Sequence, residues 1–110
     1  MSTIEGPKRA RRLTASLPVS LSEGAAHYVL DTENVSDTGI CLRPEKLFPV
    51  GTELHLVFGR PPELPAITAQ GTVRWYEVEK GVGVQFTSIS VDNHQALLSF
   101  VKSQVRREQA

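Results

Sequence analysis

Leu13, Ala15, Leu17, Val19 and Leu21 alternate with Thr14, Ser16, Pro18 and Ser20, the two-residue period of a strand with one buried face. This period constrains the fold more than any other feature, because it returns along the chain at short intervals with turn residues between. After Ser22-Glu23-Gly24 the extended pattern resumes over residues 25–35, so the first two strands are expected as a hairpin. Residues 40–42, 52–58, 66–78 and 82–87 continue the series, the last two joined through a tight turn at Lys80-Gly81. No helical stretch separates successive strands. The chain is therefore read as all-β, a closed or nearly closed six-stranded antiparallel β-barrel rather than a doubly wound sheet.

Proline and period changes mark the remaining segments. Pro18 cannot donate to a central ladder and places an edge or a bulge in the first strand. Residues 43–51 form a loop pinned by Leu47 and Phe48, and residues 59–65, with three prolines, are expected as a long exposed connection. At the end of the chain the period becomes helical. Ser90 suits an N-cap and Asp92 the positive end of the dipole, while His94, Leu97, Leu98, Val101 and Val105 recur at helical spacing over residues 91–107. Phe100 falls off that stripe and needs a second contact or a partner.

Size and charge then bound the function. The 110 residues make one domain over residues 8–110, preceded by a polar, proline-terminated flexible tail over residues 1–7. A formal net charge of zero gives no global attraction to nucleic acid or an anionic membrane. A small nucleic-acid-binding barrel would also show interleaved aromatic platforms, so no DNA or RNA partner is expected. No segment is apolar enough to insert into a membrane, and residues 1–12 lack a secretion signal's apolar core, which predicts a cytoplasmic protein. The lone Cys41, between Ile40 and Leu42, reads as a small buried hydrophobe with nothing nearby to lower its pKa. His27, His55 and His94 share no spacing, and no nucleophile stands beside a base, so neither a metal, a cofactor nor catalysis is expected. Trp75, at the end of the fifth strand, reads as rim or core packing before it reads as a stacking platform. Gly81-Val82-Gly83 leads into a strand and is a hairpin feature, not a dinucleotide loop.

Two polar clusters stand out against this frame. Lys8, Arg9, Arg11 and Arg12 put four cations into the run 8–12, and Asn34-Val35-Ser36-Asp37-Thr38-Gly39 offers an amide, hydroxyls and a glycine. The strand and hairpin between them allow a barrel to bring both to one place. Such a site suits an anion that carries phosphates and hydrogen-bonding base edges.

With these motifs in their order and spacing, residues 8–105 resemble the PilZ domain family. The carriers are a basic RxxxR-type motif ahead of the first strand and a [D/N]xSxxG motif filled by Asn34, Ser36 and Gly39. A Gly-x-Gly-Val-x-Phe strand at residues 81–86 and a final helix complete the match. In the first motif Lys8 stands at the first arginine place if Arg12 fills the second, whereas a start at Arg9 puts Leu13 there. The resemblance implies a receptor for the bacterial second messenger cyclic di-GMP, with Lys8, Arg9, Arg12, Asn34, Ser36 and Gly39 as binding residues. It further implies that binding orders the basic leader and so signals to a protein effector. The alternative is a protein-interaction adaptor with weak or no nucleotide binding, meeting its partner through Phe100, the proline-rich loop or the helix end at Arg106 and Arg107.

Overall fold

The opening alternation is realised as one bulged strand. In the computed structural model, which describes residues 12–109, it comprises β1 (Leu13–Thr14) and β2 (Pro18–Glu23), both antiparallel to β3 (Ala26–Val35). Thr14 pairs with Asn34 and Pro18 with Asp31, so residues 15–17 carry one residue more than the strand opposite. Thr32, fully buried, closes that bulge: Leu17 N donates to Thr32 Oγ1 at 2.9 Å, and the hydroxyl donates to the Ala15 carbonyl. The bulge falls just ahead of Pro18, where the missing N–H costs no ladder bond.

The chain continues through β4 (Gly39–Leu42), β5 (Glu53–Arg60), β6 (Leu64–Glu77) and β7 (Gly81–Ile89). Neighbours run β3-β2-β5-β6-β7-β4, and β4 returns to pair with β3, so six antiparallel strands close into a barrel with β1 as an additional short strand. Closure leaves no long open edge. The inward positions of the alternating strands, among them Leu17, Val19, Leu56, Ile67 and Val73, are inaccessible to solvent and form the core. Phe48 in the loop 43–52 is buried and meets Tyr28 edge-on at 5.5 Å, the pin expected of that loop.

Two local expectations are corrected. Residues 59–65 are not a long exposed connection: Arg60 pairs with Leu64 across a short turn whose Pro61–Pro62 peptide is cis. Pro65 and Ala66 together oppose Gly59, so β6 accommodates its proline in an irregularity instead of surrendering the strand. Phe100 is also not free for a partner. Helix α1 (Val91–Gln109) buries Leu97, Phe100 and Val101 against the barrel, chiefly over β6, leaving Phe100 only 3% exposed. The helix turns its 97/100/101 face to the core, with Val105 partly buried beside it. Arg60 lies over the Phe100 ring at 5.8 Å. Ser90 caps α1 as expected, its hydroxyl accepting from Asn93 N at 3.1 Å. No helix among the described residues is long and apolar enough to cross a membrane.

Candidate functional site

The pairing of Leu13 with Val35 carries Arg12 to the level of Ser36, and the two polar clusters meet there. Arg12 Nε donates to Asn34 Oδ1 at 2.6 Å, and Nη1 donates to Ser36 Oγ at 3.3 Å, across 22 and 24 positions of sequence. Lys8, Arg9 and Arg11 lie outside the described residues, as does the Arg107 side chain. Partial burial lowers the Arg12 pKa below the ordinary guanidinium value, with a smaller opposing effect from Cys41. Arginine stays charged through shifts of this kind.

Residues 36–39 form a tight corner held by its own hydroxyls. Ser36 N donates to the Gly39 carbonyl at 2.9 Å, Thr38 N donates to Ser36 Oγ at 3.2 Å, and the Ser36 and Thr38 hydroxyls stand 3.1 Å apart. Ser36 is fully buried, so its side chain organises the corner and receives Arg12 from beneath. Gly39 is needed for a different reason. A Cβ there would stand 2.2 Å from the Val84 carbonyl oxygen, so glycine alone lets β4 approach β7 at this point. Asp37 projects the other way: its Oδ2 lies 3.2 Å from His94 Nε2, tying the corner to the first turn of α1. His94, which the sequence placed on the helical stripe without a chemical role, makes this polar contact in the structure.

Above the corner opens a cleft of about 570 Å³, within the usual range for small-molecule sites, about 300–1,000 Å³. Arg12, Asn34 and Thr38 form its near wall. One cross-strand row makes the floor, since Asn34 pairs with Cys41, Cys41 with Gly83 and Gly83 with Trp75. Cys41 is buried, and burial raises its thiol pKa; the nearby Arg12 charge pulls in the opposite direction but is outweighed. The expectation of a buried hydrophobe stands, although a pKa-lowering neighbour does exist. Arg74, Trp75, Lys80 and Gln85 build the far wall. Trp75 lies against Gly83 so closely that a Cβ on that glycine would fall 2.1 Å from the indole Nε1. Three cations therefore face one carboxylate, Glu33, among the charged lining residues.

Of the six residues named from the sequence, Arg12, Asn34, Ser36 and Gly39 are brought together, with Ser36 below the cleft surface; Lys8 and Arg9 fall outside the description. Of the far wall, the sequence reading weighed only Trp75, as rim or core packing before a stacking platform, and gave Arg74, Lys80 and Gln85 no part in a site. Trp75 is 42% exposed and faces the cleft because β6 slips one register against β7 between Val73 and Trp75, which a simple alternation does not reveal.

The comparisons with known proteins agree with this fold. The family model of the PilZ domain matches residues 7–103, while no curated protein sequence matches the chain. Among solved structures, the fold is similar to the inhibitor of motility MotI/DgrA of Bacillus subtilis, with a TM-score of 0.80 at 21% identity, covering 94% of this chain and 53% of that one. MrkH of K. pneumonia in its apo state superimposes with a TM-score of 0.74 at 13% identity, over 96% of this chain and 53% of that one. The PilZ domain of CeSA from a cellulose synthesizing bacterium gives 0.63 at 13% identity, over 86% and 97%. The chain thus spans about half the length of the first two structures and nearly the whole of the third. With the family model covering all but the ends of the chain, and the barrel, helix and motif corner in place, the chain belongs to the PilZ domain family.

Proposed function

We propose that this domain binds cyclic di-GMP in the cleft between the Asn34–Gly39 corner and the end of β6, and that binding fixes the basic leader to signal to a protein effector. The observation that carries the reading is the Arg12 guanidinium, which joins both family motifs through Asn34 Oδ1 and Ser36 Oγ. Those two bonds orient the planar fork at the mouth of the cleft, where it grips a phosphate or a guanine edge. Asn34 accepts and donates at the same mouth, and Trp75 offers an exposed indole face for a base to stack on. Lys8 and Arg9 would complete the grip on the two phosphates. Since none of these groups is a nucleophile set beside a base, the domain acts as a switch and not as an enzyme. Titration calorimetry with cyclic di-GMP tests the reading. Arg12→Ala is expected to lose about 1–3 kcal/mol of binding free energy, and unchanged binding would remove Arg12 from the site. Amide NMR during the same titration should show signals of residues 8–12 and 34–39 moving together.

A further inference from the structure

The far wall of the cleft is built by a bulge. Val73 pairs with Val84 and Trp75 with Gly83, so Arg74 is the extra residue on β6. Val73 points into the core, while Arg74 and Trp75, consecutive in sequence, are both exposed and both line the cleft opposite Arg12 and Asn34. A regular strand would have sent one of them inward. Trp75 has one edge of its indole packed on Gly83, which steadies the ring, and it lines the cleft while staying 42% exposed. Arg74 is steadied too: its Nε donates to Gln85 Oε1 at 2.7 Å, which fixes the guanidinium plane and leaves the terminal amino groups unspent by that bond. Gln85 pairs in register with Gly39, so the Arg74 support and the motif corner share one row of the barrel.

We propose that Arg74, held by Gln85, reads the O6/N7 edge of a guanine stacked on Trp75. The inference rests on the cyclic di-GMP reading and deepens it by naming the residue that selects the base. A base lying on the indole presents its in-plane acceptors sideways, toward the neighbouring residue of the same strand. A guanidinium fork makes two parallel bonds to guanine O6 and N7, which adenine, with a donor at N6, does not match. Arg74 would in this way supply a planar, bidentate contact from β6, where the first family motif carries Lys8, a point charge. Neither family motif includes position 74.

The test is calorimetric titration of wild type, Arg74→Ala, Arg74→Lys and Gln85→Ala with cyclic di-GMP and with its analogue built from 7-deazaguanine, in which N7 is replaced by CH. Both positions are exposed, so circular dichroism melts should show all variants folded. Wild type is expected to lose about tenfold in affinity for the deaza analogue. Arg74→Ala should bind cyclic di-GMP about tenfold more weakly and no longer distinguish the two ligands, and Arg74→Lys should not restore the distinction. Gln85→Ala should fall between. Wild-type affinity in Arg74→Ala overturns the inference and leaves the cyclic di-GMP reading standing. So does a loss equal for both ligands with the deaza penalty intact, which assigns Arg74 to a phosphate. Failure of the wild type to bind cyclic di-GMP overturns the underlying reading and this inference with it.

Discussion

The two walls of the cleft are held by different physics. The near wall, Arg12 with the Asn34–Gly39 corner, is a hydrogen-bonded turn anchored by the buried Ser36 and Gly39 and locked to the barrel seam, where β4 meets β7 at Gly39 and β1 meets β3 at Asn34. The far wall, Arg74 and Trp75, stands on the surface and owes its direction to one register slip and to the absence of a side chain at Gly83. Damage to the near wall should therefore cost fold and ligand together. Damage to the far wall should cost ligand alone. Separating recognition from stability in this way leaves the far wall free to vary without endangering the barrel.

The largest expected effect comes from Gly39→Ala. The new Cβ would meet the Val84 carbonyl at 2.2 Å, and backbone oxygen cannot swing aside as a side chain can. Urea unfolding should show a loss of about 3 kcal/mol or more, with weakened pairing along the β4–β7 seam. Thr32→Val should follow. It keeps shape but strands the Leu17 N–H and the Ala15 carbonyl in a buried bulge, a cost of about 1–3 kcal/mol. If Gly39→Ala proves neutral, the near wall is not the rigid partner in the comparison; a neutral Thr32→Val would instead remove Thr32 as the closure of the 15–17 bulge.

Gly83→Ala is the matched change on the other side. Its Cβ would also arrive at 2.1 Å, but on the Trp75 ring, an exposed group able to move. Stability should change by less than about 1 kcal/mol, whereas the emission of Trp75, the sole tryptophan, should shift to the red and become more open to acrylamide quenching. Cyclic di-GMP affinity should fall with it. A destabilisation as large as that of Gly39→Ala would erase the distinction between the walls.

How much of this was legible in the sequence follows from range. The six strands, the closing helix and the turn at residues 36–39 are written in local period and turn chemistry, while Arg12, Asn34, Ser36 and Gly39 are named through the motifs by which the chain resembles the PilZ family. The stripe of His94, Leu97, Leu98, Val101 and Val105 left Phe100 needing a second contact or a partner, and the barrel supplies the contact: the buried face is rotated from the stripe's centre so that Leu97, Phe100 and Val101 pack inward. The proline-rich turn was misjudged because three prolines signal a break, and only the pairing of Arg60 with Leu64 shows that the strands run up to it. Arg74 stayed hidden for the same reason. A bulge is a property of two strands, and β7 determines what β6 alone cannot announce.

The smallest effect concerns Cys41, on the floor between the walls. Burial raises its thiol pKa, and the Arg12 charge partly offsets this. The native state therefore keeps a proton that the unfolded chain releases near pH 8.5. Stability from this source is present below that pH and declines as pH rises toward the folded-state value. The difference in unfolding free energy between wild type and Cys41→Ala should shrink across that window, while Cys41→Ala itself shows a flatter profile. Arg12→Ala sharpens the point, since removing the cation leaves only the Val82 backbone hydrogen bond against burial and Glu33, and raises the thiol pKa further. The decline should then extend to higher pH than in the wild type. An unaltered profile would mean that the Arg12 charge does not act on the Cys41 thiol, and the near wall would be electrostatically uncoupled from the floor.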